Sequence, residues 1–351
     1  MDALVIHAPG DLRVEQFDTA PLGPDQLQVR VRCGGICGSD LHYYQHGGFG
    51  TIRIKEPMVL GHEVAGTVTA VAAGVTSVKV GDRVAVNPSR PCGACRFCRE
   101  GLPNHCLDMR FYGSAMRTPH IHGAFRDLLL CEASQCVGVA DGVPLSHAAL
   151  AEPFSVGLHA VSRAGSLQGK RVLVSGCGPI GAMAVAAARL HGAAEIVATD
   201  VVDQPLAVVR ALGASLTINV TSDREWVRRY AVDKGTFDVM IECSGNERAL
   251  RDGLEVMRPR GIVVQLGLGG DVSLPQNTIV TKELSIRGSF RYHAEFAQAV
   301  GLINEGRVNL APLVTHTFQV TQAREAFELA GDRTRSMKVQ IDFSQHETAP
   351  A

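Results

Sequence analysis

Four cysteines crowd one short stretch of the chain, Cys92-x-x-Cys95-x-x-Cys98 followed by Cys106. Thiolates at this spacing can wrap one tetrahedral zinc in a looping lobe. With every ligand position filled by protein, such a site is structural: it ties down a loop too small to own a core. A second constellation is dispersed. Cys37 opens the run Cys37-Gly38-Ser39-Asp40-Leu41-His42-Tyr43, His62 and Glu63 follow Gly61, and Glu152 precedes Pro153. A thiolate, an imidazole and one carboxylate would leave a position open for water or a substrate oxygen, the make-up of a catalytic zinc. Two carboxylates at once would leave the ion anionic and less acidifying, so Glu63 and Glu152 are not expected to bind together, and which of them is the ligand stays open.

The third constellation is Gly176-Cys177-Gly178-Pro179-Ile180-Gly181, which follows an apolar run and opens a helical one. In that context the glycines serve a tight turn, a close backbone approach to a pyrophosphate and tight helix packing, with the helix N-terminus offering amides to phosphate. Asp200 ends the next strand at the distance expected of a carboxylate that receives the adenosine ribose. A 2′-phosphate would lie beside Asp200 and near Asp203, with no Lys or Arg before Arg210, so charge favours NAD over NADP.

These residues need elements to hold them. Residues 3–31 and 64–86 alternate apolar and polar between turn signals such as Pro9-Gly10 and Gly81-Asp82, which reads as antiparallel strands. From about Ser146 the texture changes to strand and helix units: strands at 171–175, 195–199, 237–242, 261–266 and 284–288, helices at 180–190 and 204–212. That predicts an α/β fold with a doubly wound parallel sheet beside a mainly β part. The segment after Ser289, ending in a strand at 336–343, is expected to fold back onto the N-terminal part, and the polar residues 344–351 to fray.

The 351 residues suggest two domains at roughly 150 residues each. A net charge of -1 provides no field for a polyanion, which argues against nucleic acid and against the rival reading of the cysteine lobe as a nucleic-acid zinc ribbon. No apolar run reaches the roughly 18 residues of a membrane helix, and Met1-Asp2-Ala3 begins without a basic leader. A cytoplasmic enzyme acting on a small molecule, without membrane or nucleic acid, is expected. Clustered cysteines then favour metal over disulfides, and Cys33, Cys131, Cys136, Cys177 and Cys243 read as small buried hydrophobes.

In this order, the run 35–42, the run Gly61-His62-Glu63-x-x-Gly66, the cysteine lobe and the 176–181 loop resemble the zinc-containing medium-chain alcohol and polyol dehydrogenases over nearly the whole chain. Glu152, Tyr43 and Gly288-Ser289-Phe290-Arg291-Tyr292 resemble the sorbitol dehydrogenase branch. The runs 37–45, Asn87-Pro88-Ser89, 108–116 and 287–291 resemble the L-idonate 5-dehydrogenases within it. The resemblance implies a GroES-like catalytic domain from residues 1–145 and 289–351 around a Rossmann domain of 146–288, with NAD, one catalytic and one structural zinc, and a homotetramer or dimer. It gives Ser39 and His42 a proton relay, and Cys243, Ser244, Leu266, Gly267, Ser289 and Phe290 the lining of the cofactor. Tyr43, Tyr292, Arg110 and Arg291 fall on the substrate side, Arg110 toward a substrate carboxylate and Arg291 toward hydroxyls. The implied reaction is reversible oxidation of L-idonate to 5-dehydro-D-gluconate. A neutral polyol or threonine dehydrogenase is the alternative, and a zinc protein that has lost catalysis is a third reading, opposed by the retention of Cys37, Ser39, His42, His62 and both glutamates.

Overall fold

The computed structural model describes residues 1–18 and 20–344, so the tail from 345 onward lies outside the described residues. Among them, the apolar runs of the middle of the chain form one six-stranded parallel sheet. Its spatial order is Leu216–Asn219, Glu195–Asp200, Arg171–Ser175, Phe237–Glu242, Met257–Gln265 and Ser285–Gly288. Val172, Leu173, Val174, Val239, Met240 and Ile241 are all fully buried, as strands covered on both faces require. The order reverses between Arg171–Ser175 and Phe237–Glu242, which opens a crevice at their carboxyl ends, at Gly176 and Cys243.

The helix Pro179–Leu190 starts with Gly178 as its cap and Pro179 in its first turn, where a missing N–H loses no hydrogen bond. Its alanines at 182, 184, 186, 187 and 188 are buried against the helix Ala151–Ala164. The two helices meet so closely that a Cβ on Gly157 would lie 2.8 Å from the Met183 backbone. Sequence periodicity did not single out the helix Glu247–Val256, although its cap is strong: the Asn246 side chain accepts the amides of Arg248 and Ala249. Two of the cysteines expected in the core, Cys136 and Cys243, are only half-buried.

The alternating N-terminal runs build a seven-stranded sheet around Gln26–Gly35, which pairs with Glu63–Val71, Leu128–Glu132 and Lys338–Asp342. The hairpin of Asp2–Ala8 and Asp11–Gln16 turns at Pro9-Gly10, with Gly10 at φ 74°. The chain returns from Ser289 in two stages. Helix Glu295–Asn304 first packs on Ala151–Ala164, burying Phe296, Ala299 and Val300 in the core shared with the parallel-sheet helices. Val314–Gln319 and Lys338–Asp342 then pair with each other and enter the N-terminal sheet.

A polar clasp backs the first stage: His159 Nδ1 lies 2.9 Å from Glu295 Oε1, and Glu295 Oε2 accepts the His293 amide at 2.8 Å. Burial alone would raise the Glu295 carboxyl, but these hydrogen bonds outweigh it and hold the group at about 2. A depressed carboxylate stabilises the fold above its unfolded pKa and ceases to do so as pH falls toward its folded one. With solvent screening taken into account, Glu295→Gln is expected to lose about 1 to 2 kcal/mol at neutral pH. That gap should shrink between pH 5 and pH 3 in stepped thermal unfolding of both proteins; a gap unchanged at the acid end would contradict the clasp.

Candidate active site

Cys37 sits where the strand Gln26–Gly35 turns into the helix Gly38–His46, as that helix's cap. Asp40, wholly buried, accepts the Cys37 amide at 3.0 Å on one oxygen and the Gly61 amide at 3.1 Å on the other. One carboxylate thus fixes the segment of Cys37 against the segment of His62 and Glu63. Sequence reasoning passed over it, because an acid at this position of a helix reads as ordinary capping. Across the strand pair a Cβ on Gly35 would fall 2.1 Å from Glu63 Oε2, so the missing side chain is the room the carboxylate occupies.

The donor atoms of Cys37, His62 and Glu63 lie within 4.8 Å of one another. A thiolate, an imidazole and a carboxylate form a donor set suited to zinc. The local field agrees: burial would lower the His62 imidazole, but Asp40, Cys37 and Glu152 outweigh it and raise it to about 10, so this pocket draws positive charge. Buried His62 Nδ1 has no hydrogen-bond partner, with Asp40 Oδ1 3.8 Å away. Both oxygens of Glu63 are 2.8 Å from Lys338 Nζ, itself 2 % exposed, and Lys338 also donates to the Ile36 carbonyl at 3.1 Å. Glu152, at the start of Ala151–Ala164, stands beside this set and not within it. Burial pushes its carboxyl up to about 7, with His62 and Lys338 pulling down and Glu63 pushing up.

Phe111 connects this set to a cation. Its ring lies 5.3 Å from that of His62 and 4.4 Å from the guanidinium carbon of Arg291, which also stands 5.0 Å from the Phe290 ring. Arg291 is held at φ 55°, its one hydrogen-bond contact is Met116 Sδ at 3.3 Å, and among the described residues no carboxylate forms an ion pair with it. Tyr292 is buried, and its hydroxyl reaches Asn87 Oδ1 at 3.3 Å. The Tyr43 hydroxyl accepts the Ala115 amide at 3.0 Å, which makes it an anchor for the segment carrying Met116. Arg110 is not brought to this group: it is exposed on the short strand Arg110–Phe111, and neighbouring residues of a strand point to opposite faces. Arg117 is paired with Asp108.

At the sheet crevice Gly176 takes φ 84°, and a Cβ on Gly181 would lie 1.9 Å from the Gly176 carbonyl. Gly178, Pro179 and Ile180 begin the helix above it. The Cys243 amide bonds the Ser175 carbonyl at 2.8 Å, and Ser244, Leu266 and Gly267 are organised by Glu242, fully buried and missed in the sequence. Its carboxylate accepts the amides of Ser244 at 2.8 Å and Gly245 at 3.1 Å and the Gln265 side chain at 2.6 Å, while its carbonyl accepts Leu266 and Gly267, both at 2.8 Å. The Ser289 amide bonds Gln265 and its hydroxyl is buried without a partner. Phe290 is exposed, its carbonyl receiving Asn104 at 3.1 Å. Asp200 is buried and, beyond nearby amides, meets Arg333 at 2.8 Å, a cation that reading the local sequence could not place there.

In the lobe, the sulfurs of Cys92, Cys95, Cys98 and Cys106 lie within 4.8 Å of one another. Amides point at them: Cys92 N–H and Asp108 N–H at Cys106 Sγ, and Cys95 N–H at Cys92 Sγ, at 3.1 to 3.3 Å. Amides of Cys98 and Leu107 lower the Cys95 thiol to about 6, while burial and the neighbouring Cys95 and Cys106 sulfurs push Cys98 up to about 12.

Residues 23–141 match the alcohol dehydrogenase GroES-like domain and residues 179–305 the zinc-binding dehydrogenase domain. The chain is 45 % identical over 316 residues to an L-idonate 5-dehydrogenase (NAD(P)(+)) of Escherichia coli K12, covering 90 % of this chain and 91 % of that protein. It is 40 % identical to the sorbitol dehydrogenase of Gallus gallus over 99 % of this chain and 98 % of that one. The crystal structure of L-idonate 5-dehydrogenase from E. coli K-12 superposes with a TM-score of 0.94 at 42 % identity, covering 97 % of this chain and 98 % of that one.

The glycine loop yields a paired prediction. A Cβ on Gly178 meets nothing within 4 Å, so Gly178→Ala should melt like the parent while its methyl intrudes where a pyrophosphate approaches. NADH binding, followed by fluorescence, is expected to weaken roughly tenfold or more. Gly181→Ala collides with backbone and should lose binding and melting temperature together. Unaltered NADH affinity in Gly178→Ala would remove the loop from the cofactor site.

Proposed function

Because the chain belongs to the zinc-binding medium-chain alcohol and polyol dehydrogenases, oxidoreductases that act on CH–OH groups with NAD(P), we propose that it oxidises L-idonate reversibly to 5-dehydro-D-gluconate with NAD. The supporting observation is Arg291. A half-buried guanidinium that feels the charge of Glu152 but is ion-paired to no protein carboxylate keeps its donors for a ligand, and a ligand carboxylate placed there would take them in charge-assisted hydrogen bonds. Arg291 and His62 both pack on the Phe111 ring, so an acid bound at Arg291 would have the donor set within reach of its hydroxyl-bearing chain. This assigns the substrate carboxylate to Arg291 in place of Arg110.

When bound, a zinc ion would supply the Lewis acidity that lowers the pKa of the substrate hydroxyl, and NAD the acceptor for its hydride. Cys37, His62 and Glu63 would hold that ion, with Glu152 the alternate carboxylate beside them. Ser39 and His42, three residues apart on the helix Gly38–His46, lie on neighbouring turns, the first half-buried and the second exposed. Partial burial of the ring, with nearby His46, lowers the His42 imidazole, so it stays neutral with a free ring nitrogen that could receive a proton from Ser39 on its way to solvent. Asp200 would receive the adenosine ribose, and the four-cysteine lobe would hold a second, structural zinc. Among the described residues no helix is long and apolar enough to cross a membrane, and we place the enzyme in the cytoplasm as a homotetramer or dimer.

The likeness to sorbitol dehydrogenases supports a second reading, in which a neutral polyol is the substrate and Arg291 meets only hydroxyls. NADH formation at 340 nm with L-idonate and sorbitol separates the two. Arg291→Ala is expected to lower kcat/KM for L-idonate roughly ten- to hundredfold and that for sorbitol far less. Equal losses, or a parent enzyme that prefers sorbitol, would return the chain to the general polyol enzymes.

Metal analysis should find two zinc ions per chain. Cys95→Ser should lose one together with stability, and His62→Ala should keep the fold and lose turnover. One ion or none at full activity would overturn the two-site reading.

A further inference from the structure

The Asp200 carboxylate is already fully occupied by protein. One oxygen accepts the amides of Val201 at 2.7 Å and Val202 at 3.1 Å, the other accepts the Cys177 amide at 2.7 Å, and Nη2 of Arg333 reaches both, at 3.2 and 2.8 Å. A carboxylate offers about four acceptor directions, so ribose hydroxyls can be received only where Arg333 gives way. The backbone amides cannot move without the glycine loop and the strand end. The arginine can, because its side chain is 53 % exposed against 2 % for the acid.

Arg333 comes from the far end of the chain. It lies in the turn between the helix Ala323–Gly331 and the strand Lys338–Asp342. Asp332 ties that turn through its side chain to the Thr334 amide and through its carbonyl to the Arg335 amide. The tether is therefore fixed while the guanidinium is free to swing. No described residue hydrogen-bonds its Nε or Nη1, so most of its donors stay available. The neighbouring charges are engaged elsewhere: Arg210 donates to the Thr217 hydroxyl at 2.7 Å, and Asp203 accepts Asn219 Nδ2 at 2.6 Å.

From this we infer that Arg333 sets the tolerance of the coenzyme site for a 2′-phosphate. Displaced from Asp200 by the ribose, its planar fork stays beside the 2′ position and pairs with the phosphate of NADP, offsetting the repulsion by which Asp200 alone would exclude it. The site then favours NAD without rejecting NADP, and the discriminating pair is assembled from two distant parts of the chain. The inference rests on the reading that Asp200 faces the adenosine ribose.

Binding of 5′-ADP and 2′,5′-ADP, measured by calorimetry on the full-length protein, tests it without turnover. Arg333→Ala is expected to weaken 2′,5′-ADP roughly tenfold or more while 5′-ADP moves less than about threefold, and Arg333→Lys to recover part of the loss. NADPH and NADH fluorescence titrations should diverge in the same sense. Equal weakening of both nucleotides in Arg333→Ala, or an unchanged 2′,5′-ADP affinity, overturns the inference. Asp200→Asn separates the two levels: it should improve 2′,5′-ADP relative to 5′-ADP. If it leaves both affinities unaltered, the underlying placement of Asp200 fails and the inference with it; if it shifts them while Arg333→Ala does not, only the role of Arg333 falls.

Discussion

A carboxylate and an ammonium with almost no access to water, Glu63 and Lys338, impose the condition that the rest of the molecule meets. Removing either charge from solvent costs several kcal/mol, and breaking such a pair leaves an uncompensated charge in the interior. Both oxygens of Glu63 must therefore find Lys338, which requires the last strand to lie against Gln26–Gly35. The register brings Gly35 opposite both Glu63 and Gln340, and Gly35, with no side chain, makes room for the carboxylate between them. The chain's far end is thus bound to the segment that also holds His62. The same pairing eases the charge balance of the donor set: a cation behind Glu63 reduces the excess negative charge that two neighbouring glutamates would otherwise place on one ion.

What the sequence made legible is what short-range spacing controls. The 176–181 run lies between an apolar strand and a helix, and its tightest demand is local, since a Cβ on Gly181 would meet the Gly176 carbonyl, whereas Gly176 is pressed by the distant Ser244 and Gly178 touches nothing. The same holds for the cysteine lobe, where three of the four cysteines stand at 92, 95 and 98 and the amides that point at sulfur belong to Cys92, Cys95 and Asp108. The doubly wound sheet was readable because strands buried on both faces need unbroken Val, Ile and Leu, a pattern that alternation elsewhere does not imitate.

What escaped was the set of charges whose partners are distant. Asp40 joins Cys37 to Gly61, Glu242 braces Ser244, Gly245 and Gln265, and Arg333 crosses to Asp200, yet each stands in a local context that looks like a cap, a strand end or a surface turn. No periodicity marks them, because burial of a charge is set by the strands that come to cover it. The different placements of Arg110 and Arg291 were hidden for a related reason. A two-residue strand sends Arg110 outward and Phe111 inward, and a positive φ at Arg291 turns its side chain under that ring, neither of which composition can indicate.

The return segment does more than close a sheet. Within six residues it delivers Arg333 to Asp200 at the crevice of the parallel sheet and Lys338 to Glu63 in the donor set. The two acids belong to different sheets, Asp200 to the six-stranded parallel one and Glu63 to the seven-stranded one, so a single turn and strand carries compensating charge to both. The two contacts differ in kind: the Lys338 pair is sealed from water and so fixed, whereas the Arg333 side chain is half open and can exchange partners. A rigid anchor beside a movable cation holds the donor set constant while leaving Asp200 able to change partners, a division of labour that follows from solvent access alone.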